Sequence, residues 1–98
     1  MKKTFETMEE VSEFLVNERL LVHTLVVNTI IDSIISGDHD RVVMEFSVTN
    51  NDSTIRINMA PKYWNDALNL SLEYFSSINH FERCIQIREL LKEINENI

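Results

Sequence analysis

Glycine, proline and cysteine are nearly missing from this chain; each occurs once, as Gly37, Pro61 and Cys84. With one glycine, the chain cannot build a glycine-rich phosphate cradle. With so few turn formers, it has little material for long irregular loops. A lone cysteine forms no internal disulfide, so nothing points to an oxidising compartment. Positive charge is also scarce: 9 Lys and Arg stand against 16 Asp and Glu, a net charge of −7. The basic residues form no cluster, which disfavours direct nucleic-acid binding through phosphate neutralisation. A long unbroken apolar run is missing too. The nearest candidate, Leu20 to Ile35, is interrupted by His23, Asn28 and Asp32, so no membrane span is expected. Met1-Lys2-Lys3 runs at once into Glu6, Glu9, Glu10 and Glu13 without an apolar stretch, unlike a secretory signal, and the expected location is cytoplasmic.

What is present suits one small globular domain over residues 1–98. Apolar residues make up 44% and charged residues 26% of the chain, which argues against disorder. A chain this size withdraws about 60–65% of its unfolded surface from water, enough for one modest core without staples. The carboxylates are spread along the whole length, which reads as solubility. A sharper reading is a surface complementary to a basic partner, or one imitating nucleic acid.

Thr7-Met8-Glu9-Glu10 is a capping box opening a helix with Met8, Val11, Phe14 and Leu15 on one side. Leu20 to Ile35 has helical spacing at Val22, Leu25, Val26, Thr29, Ile30, Ser33 and Ile34, although its β-branched content also suits a strand near Leu21 to Val27. Its length, with Gly37 as a stop, predicts a helix ending near Ser36. Two alternating runs follow. Val42, Met44, Phe46 and Val48 form the apolar side of the first; Ile55, Ile57 and Met59 form that of the second. Asn50-Asn51-Asp52-Ser53 lies between them, which predicts a β-hairpin. Two strands alone are marginal in water, so a free edge is expected to pair further, most simply with a second copy of the chain.

The last third, Pro61 to Ile98, predicts two helices joined at Ser76-Ser77-Ile78-Asn79. Pro61 suits a first helical position. Trp64, Ala67, Leu68, Ser71, Leu72 and Phe75 share one face. Asn79 with Glu82 has the capping-box pattern for the final helix. On that helix Cys84, Ile87, Leu91, Ile94 and Ile98 centre an apolar arc, which Phe81 and Ile85 widen on one side and Leu90 on the other. Arg88 projects within the arc and must reach water or pair with a carboxylate. The expected fold class is therefore α+β: two N-terminal helices, a β-hairpin and a C-terminal antiparallel helical hairpin, in the order α-α-β-β-α-α.

Leu68, Leu72 and Phe75, followed by Asn79-His80-Phe81-Glu82-Arg83-Cys84-Ile85-Gln86-Ile87-Arg88-Glu89-Leu90-Leu91, resemble the UVR motif. That motif is a short helical hairpin through which bacterial excision-repair subunits dock, and it recurs in stress regulators. Phe81-Glu82 matches its Phe-Glu pair, Cys84-Ile85 stands in place of two alanines, and Ile87-Arg88-Glu89 in place of Leu-Arg-Asp. The resemblance implies protein–protein docking through residues 66–96.

Chemistry-bearing residues do not converge. Asp38-His39-Asp40 has metal-ligand residue types, but three adjacent residues in a polar connection read as a solvated loop. His23, in an apolar run, reads as a core histidine, and His80 as exposed. Cys84 and His80 share a helix face four residues apart, yet Cys84 lies mid-stripe, where a thiol behaves as a small hydrophobe. Glu9-Glu10 and Glu93 with Glu96 occupy solvated faces. No catalytic residue, cofactor or metal site is expected, and the chain reads as a non-enzymatic interaction module. It is expected to be a cytosolic regulator or adaptor, a homodimer that docks on another protein. Trp64 and Phe75 belong to the core; Tyr63, Tyr74, Phe81 and Arg88 are the candidate partner-binding residues. The second reading is an acidic inhibitor, of the kind viruses encode, that occupies the basic groove of a nucleic-acid-processing enzyme.

Overall fold

In the computed structural model residues 1–96 are described, and the chain divides into two compact units, Met1–Met59 and Ala60–Ile98. The fold is α+β, as expected, but the element order begins with a strand. The first unit holds β1 (Lys2–Phe5), α1 (Met8–Asn17), α2 (Arg19–Ser36), β2 (Val42–Val48) and β3 (Ser53–Asn58). The second holds a 3₁₀ turn (Pro61–Tyr63), α3 (Trp64–Ser77) and α4 (Phe81–Glu96).

The extra strand corrects the expected hairpin to a three-stranded sheet, β1-β2-β3, with β2 central. β1 runs parallel to β2 with Lys2 opposite Glu45 and Phe5 opposite Val48. Parallel neighbours need a crossover, and α1 with α2 supplies it. One edge of β2 is thus taken by the chain's own N-terminus. Its four residues are too few to show alternation, and Lys2-Lys3 masks the single inward residue, Phe5.

β2 pairs antiparallel with β3, with a bulge between Val42 and Met44. Val42 faces Asn58 and Met44 faces Ile57, so β2 spends two steps where β3 spends one. The expected alternation holds from Met44 through Phe46 to Val48, all buried. It fails at Val42: the extra residue shifts the phase, Val43 turns inward and Val42 is exposed. Ile55, Ile57 and Met59 lie against the same core, whose buried members are Val11, Phe14, Val43, Met44, Phe46 and Val48. The rings of Phe5, Phe14 and Phe46 meet pairwise with centroids 5.6 to 5.8 Å apart.

Local chemistry sets the helix ends. Thr7 caps α1, its Oγ1 accepting the Glu10 N–H at 3.3 Å, while Glu10 Oε2 accepts the N–H of Glu6 at 3.3 Å. The reciprocal bond of the box therefore reaches one residue before the cap. Gly37, at φ 77°, ends α2, and its N–H donates to the Ser33 carbonyl at 2.9 Å. The ambiguous stretch is helix because α2 lays Val22, Leu25 and Val26 against the sheet core, and Val27, Ile30 and Ser33 are fully buried. By length and composition α2 is long and apolar enough to cross a membrane; in this fold Val27, Ile30 and Ser33 are buried while Leu20, Leu21 and Ile35 are exposed.

In the second unit Pro61 opens the 3₁₀ turn rather than α3 itself. The expected face of α3 is the buried one: Trp64, Leu68, Ser71 and Phe75. Asn79 departs from expectation. Its φ is 60°, its N–H donates to the Ser76 carbonyl at 3.1 Å, and the next N–H, of His80, donates to the Phe75 carbonyl at 2.9 Å. Those are the two bonds of a Schellman motif. The apolar contact that accompanies the motif is the His80 ring edge-on to Phe75, with centroids 5.5 Å apart. Asn79 thus closes α3 instead of capping α4, which begins at Phe81. On α4 Cys84 and Ile87 are buried, and Leu91 and Ile94 partly so. Ile98, expected on that face, lies outside the described residues.

Candidate docking surface

α4 turns Cys84 and Ile87 into the packing of its unit, and the residues one flank away remain uncovered. Phe81 is 65% exposed and Ile85, one turn later, 56%. Arg88 follows at the next turn and Lys92 at the one after, both exposed. Positions 81, 85, 88 and 92 recur at i, i+4, i+7 and i+11, so they form one stripe along the helix. Ile78, exposed in the turn, adds a third apolar side chain close to its Phe81 end. Arg88 reaches water, and among the described residues it forms no ion pair.

Arg83 lies within the hairpin, with Nη1 donating to Gln86 Oε1 at 2.7 Å and its guanidinium 6.0 Å from the Phe75 ring centre. Tyr74 is half-buried, edge-on to Phe75 at 5.5 Å. Tyr63 is 52% exposed, with Lys62 Nζ 5.0 Å above its ring. It precedes α3, and the 14 residues of that helix span about 21 Å. Tyr63 therefore stands at the open end of the hairpin while Phe81 stands beside the turn. The four residues proposed from sequence do not form one patch. Phe81 and Arg88 share a stripe, Tyr74 is nearer the core and Tyr63 is remote. Ile85 and Ile78 were missed as surface residues. The signal for Ile85 was its spacing of four from Phe81; nothing in the sequence distinguishes Ile78 from a buried turn residue.

The outer face of α3 has a different character. Asp66, Asn69, Leu70 and Glu73 line a shallow hollow, with Leu70 61% exposed between the two carboxylates.

A second polar array lies on the solvent face of the sheet. Lys2, Glu45 and Arg56 are register partners across all three strands. Glu45 Oε1 accepts from Arg56 Nη2 at 2.8 Å and Nε at 3.1 Å, and Oε2 lies 3.6 Å from Lys2 Nζ. The hydrogen bonds from Arg56 hold the Glu45 carboxyl below its usual range, with the charges of Arg56 and Lys2 acting in the same direction. On α2, burial followed by the nearby charge of Arg19 lowers the pKa of His23.

The remaining chemical candidates are dispersed. Asp38-His39-Asp40 lies in an exposed connection where Asp38 Oδ1 accepts the Asp40 N–H at 3.2 Å. Among the described residues no group of three His, Cys, Asp or Glu side chains is placed to hold a metal. Cys84 is buried, and the ring of exposed His80 packs on Phe75. Comparison of the chain with protein-family models, curated proteins and solved structures gives no match.

Proposed function

We propose that this protein is a non-enzymatic interaction module that docks on another protein through its C-terminal helical hairpin. The observation that carries the reading is the α4 stripe, where Phe81 and Ile85 stand uncovered one turn apart with Ile78 beside them. Single exposed apolar residues are ordinary; two large ones a turn apart on one helix stripe, with a third in the turn that leads into it, are the composition of an interface centre. Arg88 supplies the kind of side chain most often found at such centres, a long apolar stem with a planar charged head. The resemblance of residues 66–96 to a docking hairpin points the same way.

The test replaces Phe81 and Ile85 together by aspartate. Both side chains are exposed, so the far-ultraviolet circular dichroism and thermal midpoint of the double variant are expected to match the parent. Proximity labelling in the source cell is expected to lose the parent's partner set. A partner set unchanged by the substitution removes the hairpin as the docking surface.

A further inference from the structure

α2 is apolar on every side, and its own fold covers little of it. Of its 18 residues only Val27, Ile30 and Ser33 are buried. Val22, Leu25 and Val26 lie against the sheet core. A third side stays in water, where Leu20 is 52% exposed and Ile35 79%. Between them stand half-buried Thr24, exposed Asn28 and half-buried Ile31. Positions 20, 24, 28, 31 and 35 recur at i, i+4, i+8, i+11 and i+15, one stripe within about 80° of the helix circumference. It carries no charge, in a chain with 16 Asp and Glu. A helix apolar all round is ordinarily a covered one. The stripe is also symmetric about Asn28, with large aliphatic ends and an amide at the centre. Leu20 lies about 12 Å along the axis on one side of Asn28 and Ile35 about 10.5 Å on the other. Thr24 and Ile31 lie about 6 and 4.5 Å away, again on opposite sides.

We propose that a second copy of this chain covers α2, the two helices pairing antiparallel through this stripe across a two-fold axis at Asn28. Each Leu20 then meets the other copy's Ile35, and each Thr24 its Ile31. The two Asn28 amides meet on the axis, where the donor and acceptor of one match the acceptor and donor of the other. One face serves both copies, so the contact closes as a dimer. Two helices of about 27 Å touching along their length bury on the order of 1,000 Å², the lower bound for a specific interface. Exposed Asp32 stands at the rim, and the two copies of it are about 12 Å apart along the helices, beyond the screening length of physiological salt. A bilayer is the other medium that covers an apolar helix. Crossing one would draw the sheet packed on Val22, Leu25 and Val26 into lipid, where open strand edges go unpaired. The contact uses residues 20–35 alone and does not rest on the hairpin reading.

Light scattering on the full chain is expected to give the mass of a dimer, unchanged between low and high salt because the seam carries no charge. Leu20→Lys and Ile35→Glu are each expected to weaken the dimer on the order of ten- to a hundredfold, since each sets an unpaired charge in the seam twice. An equimolar mixture of the two variants is expected to recover it. The introduced lysine then meets the introduced glutamate at one end, and the native Leu20 and Ile35 meet at the other. Recovery on mixing also shows that neither variant merely failed to fold. Asn28→Cys is expected to form an interchain disulfide on mild oxidation, and Ile35→Cys, about 21 Å from its own copy along the axis, is not. Buried Cys84 stays out of that reaction. Phe81→Asp with Ile85→Asp is expected to leave the dimer intact, which separates this contact from the hairpin surface. A monomeric parent, a dimer that tolerates both charges, or a mixture that stays monomeric overturns the proposal. So does crosslinking at 35 instead of 28, or a dimer lost with the hairpin substitutions. A parent that is monomeric alone and floats with phosphatidylcholine vesicles overturns it too, and gives α2 to the bilayer.

Discussion

Asn79 shows how a single dihedral decides between two roles for one residue. Ser76-Ser77-Ile78-Asn79 followed by Glu82 fits a helix N-cap on paper, but the Asn79 φ of 60° and the bonds from Asn79 to Ser76 and from His80 to Phe75 make it the left-handed closing residue of α3. Asparagine is suited to both positions, since its short amide bonds locally and it tolerates the left-handed region. The two roles differ in what they tolerate. At a left-handed closing position, Asn79→Ala is expected to lower stability by about 1 kcal/mol, and Asn79→Gly to leave it unchanged or raise it. Urea denaturation of the three proteins checks this. At the same scale, Val42 and Val43 exchange faces because of one extra residue in β2, which no side-chain identity announces.

Among the elements, α1, the body of α2 and the β2–β3 hairpin were legible because each carries a period and a stop. Thr7 starts one helix, Gly37 ends another, and Asn50 to Asp52 breaks the alternation between two strands. β1 was not legible. It has one inward residue, Phe5, and its partner is over forty residues away, so the pairing exists only once the sheet does. Its contribution is nevertheless large, because Phe5 packs on both Phe14 and Phe46. Phe5→Ala is expected to destabilise by about 3 kcal/mol, the low end for a phenylalanine deletion because Phe5 is only partly buried. Removing residues 1–5 is expected to do more. It uncovers the edge of β2, and size-exclusion chromatography should then show stronger concentration-dependent association than that of the full chain.

For the molecule as a whole, two groups tie stability to acidity, and they act in the same direction. The folded-state pKa of His23 is lowered from 6.5 by burial and by Arg19, so below pH 6.5 the unfolded chain binds more protons than the native one. Stability therefore falls as pH drops from 6.5 through the folded value. The folded-state pKa of Glu45 is lowered from 4.5 by Arg56 and Lys2, so its stabilisation is complete above 4.5 and is lost as pH falls through its own folded value. Denaturation midpoints measured across this range should descend in two separate ramps. His23→Gln is expected to remove the upper ramp and Glu45→Gln the lower. A midpoint that rises on acidification through 6.5 contradicts the burial of His23.

The sequence by itself determined the α+β class, the end of α2 at Ser36, the hairpin turn and the buried face of α3, because each follows from local period, capping chemistry or turn residues within a few positions. It also supplied Phe81 and Arg88 as candidates, from their place on an over-wide apolar arc. Tertiary structure alone decided the rest. It paired the N-terminus with β2, which no local preference encodes. It shifted the phase at Val43, and it turned Asn79 from a cap into a stop. It also left Phe81 and Ile85 in solvent while Cys84 and Ile87, on the same apolar arc, were covered. A helix wheel shows which residues are apolar together. Only packing shows how many of them the neighbouring elements are wide enough to cover.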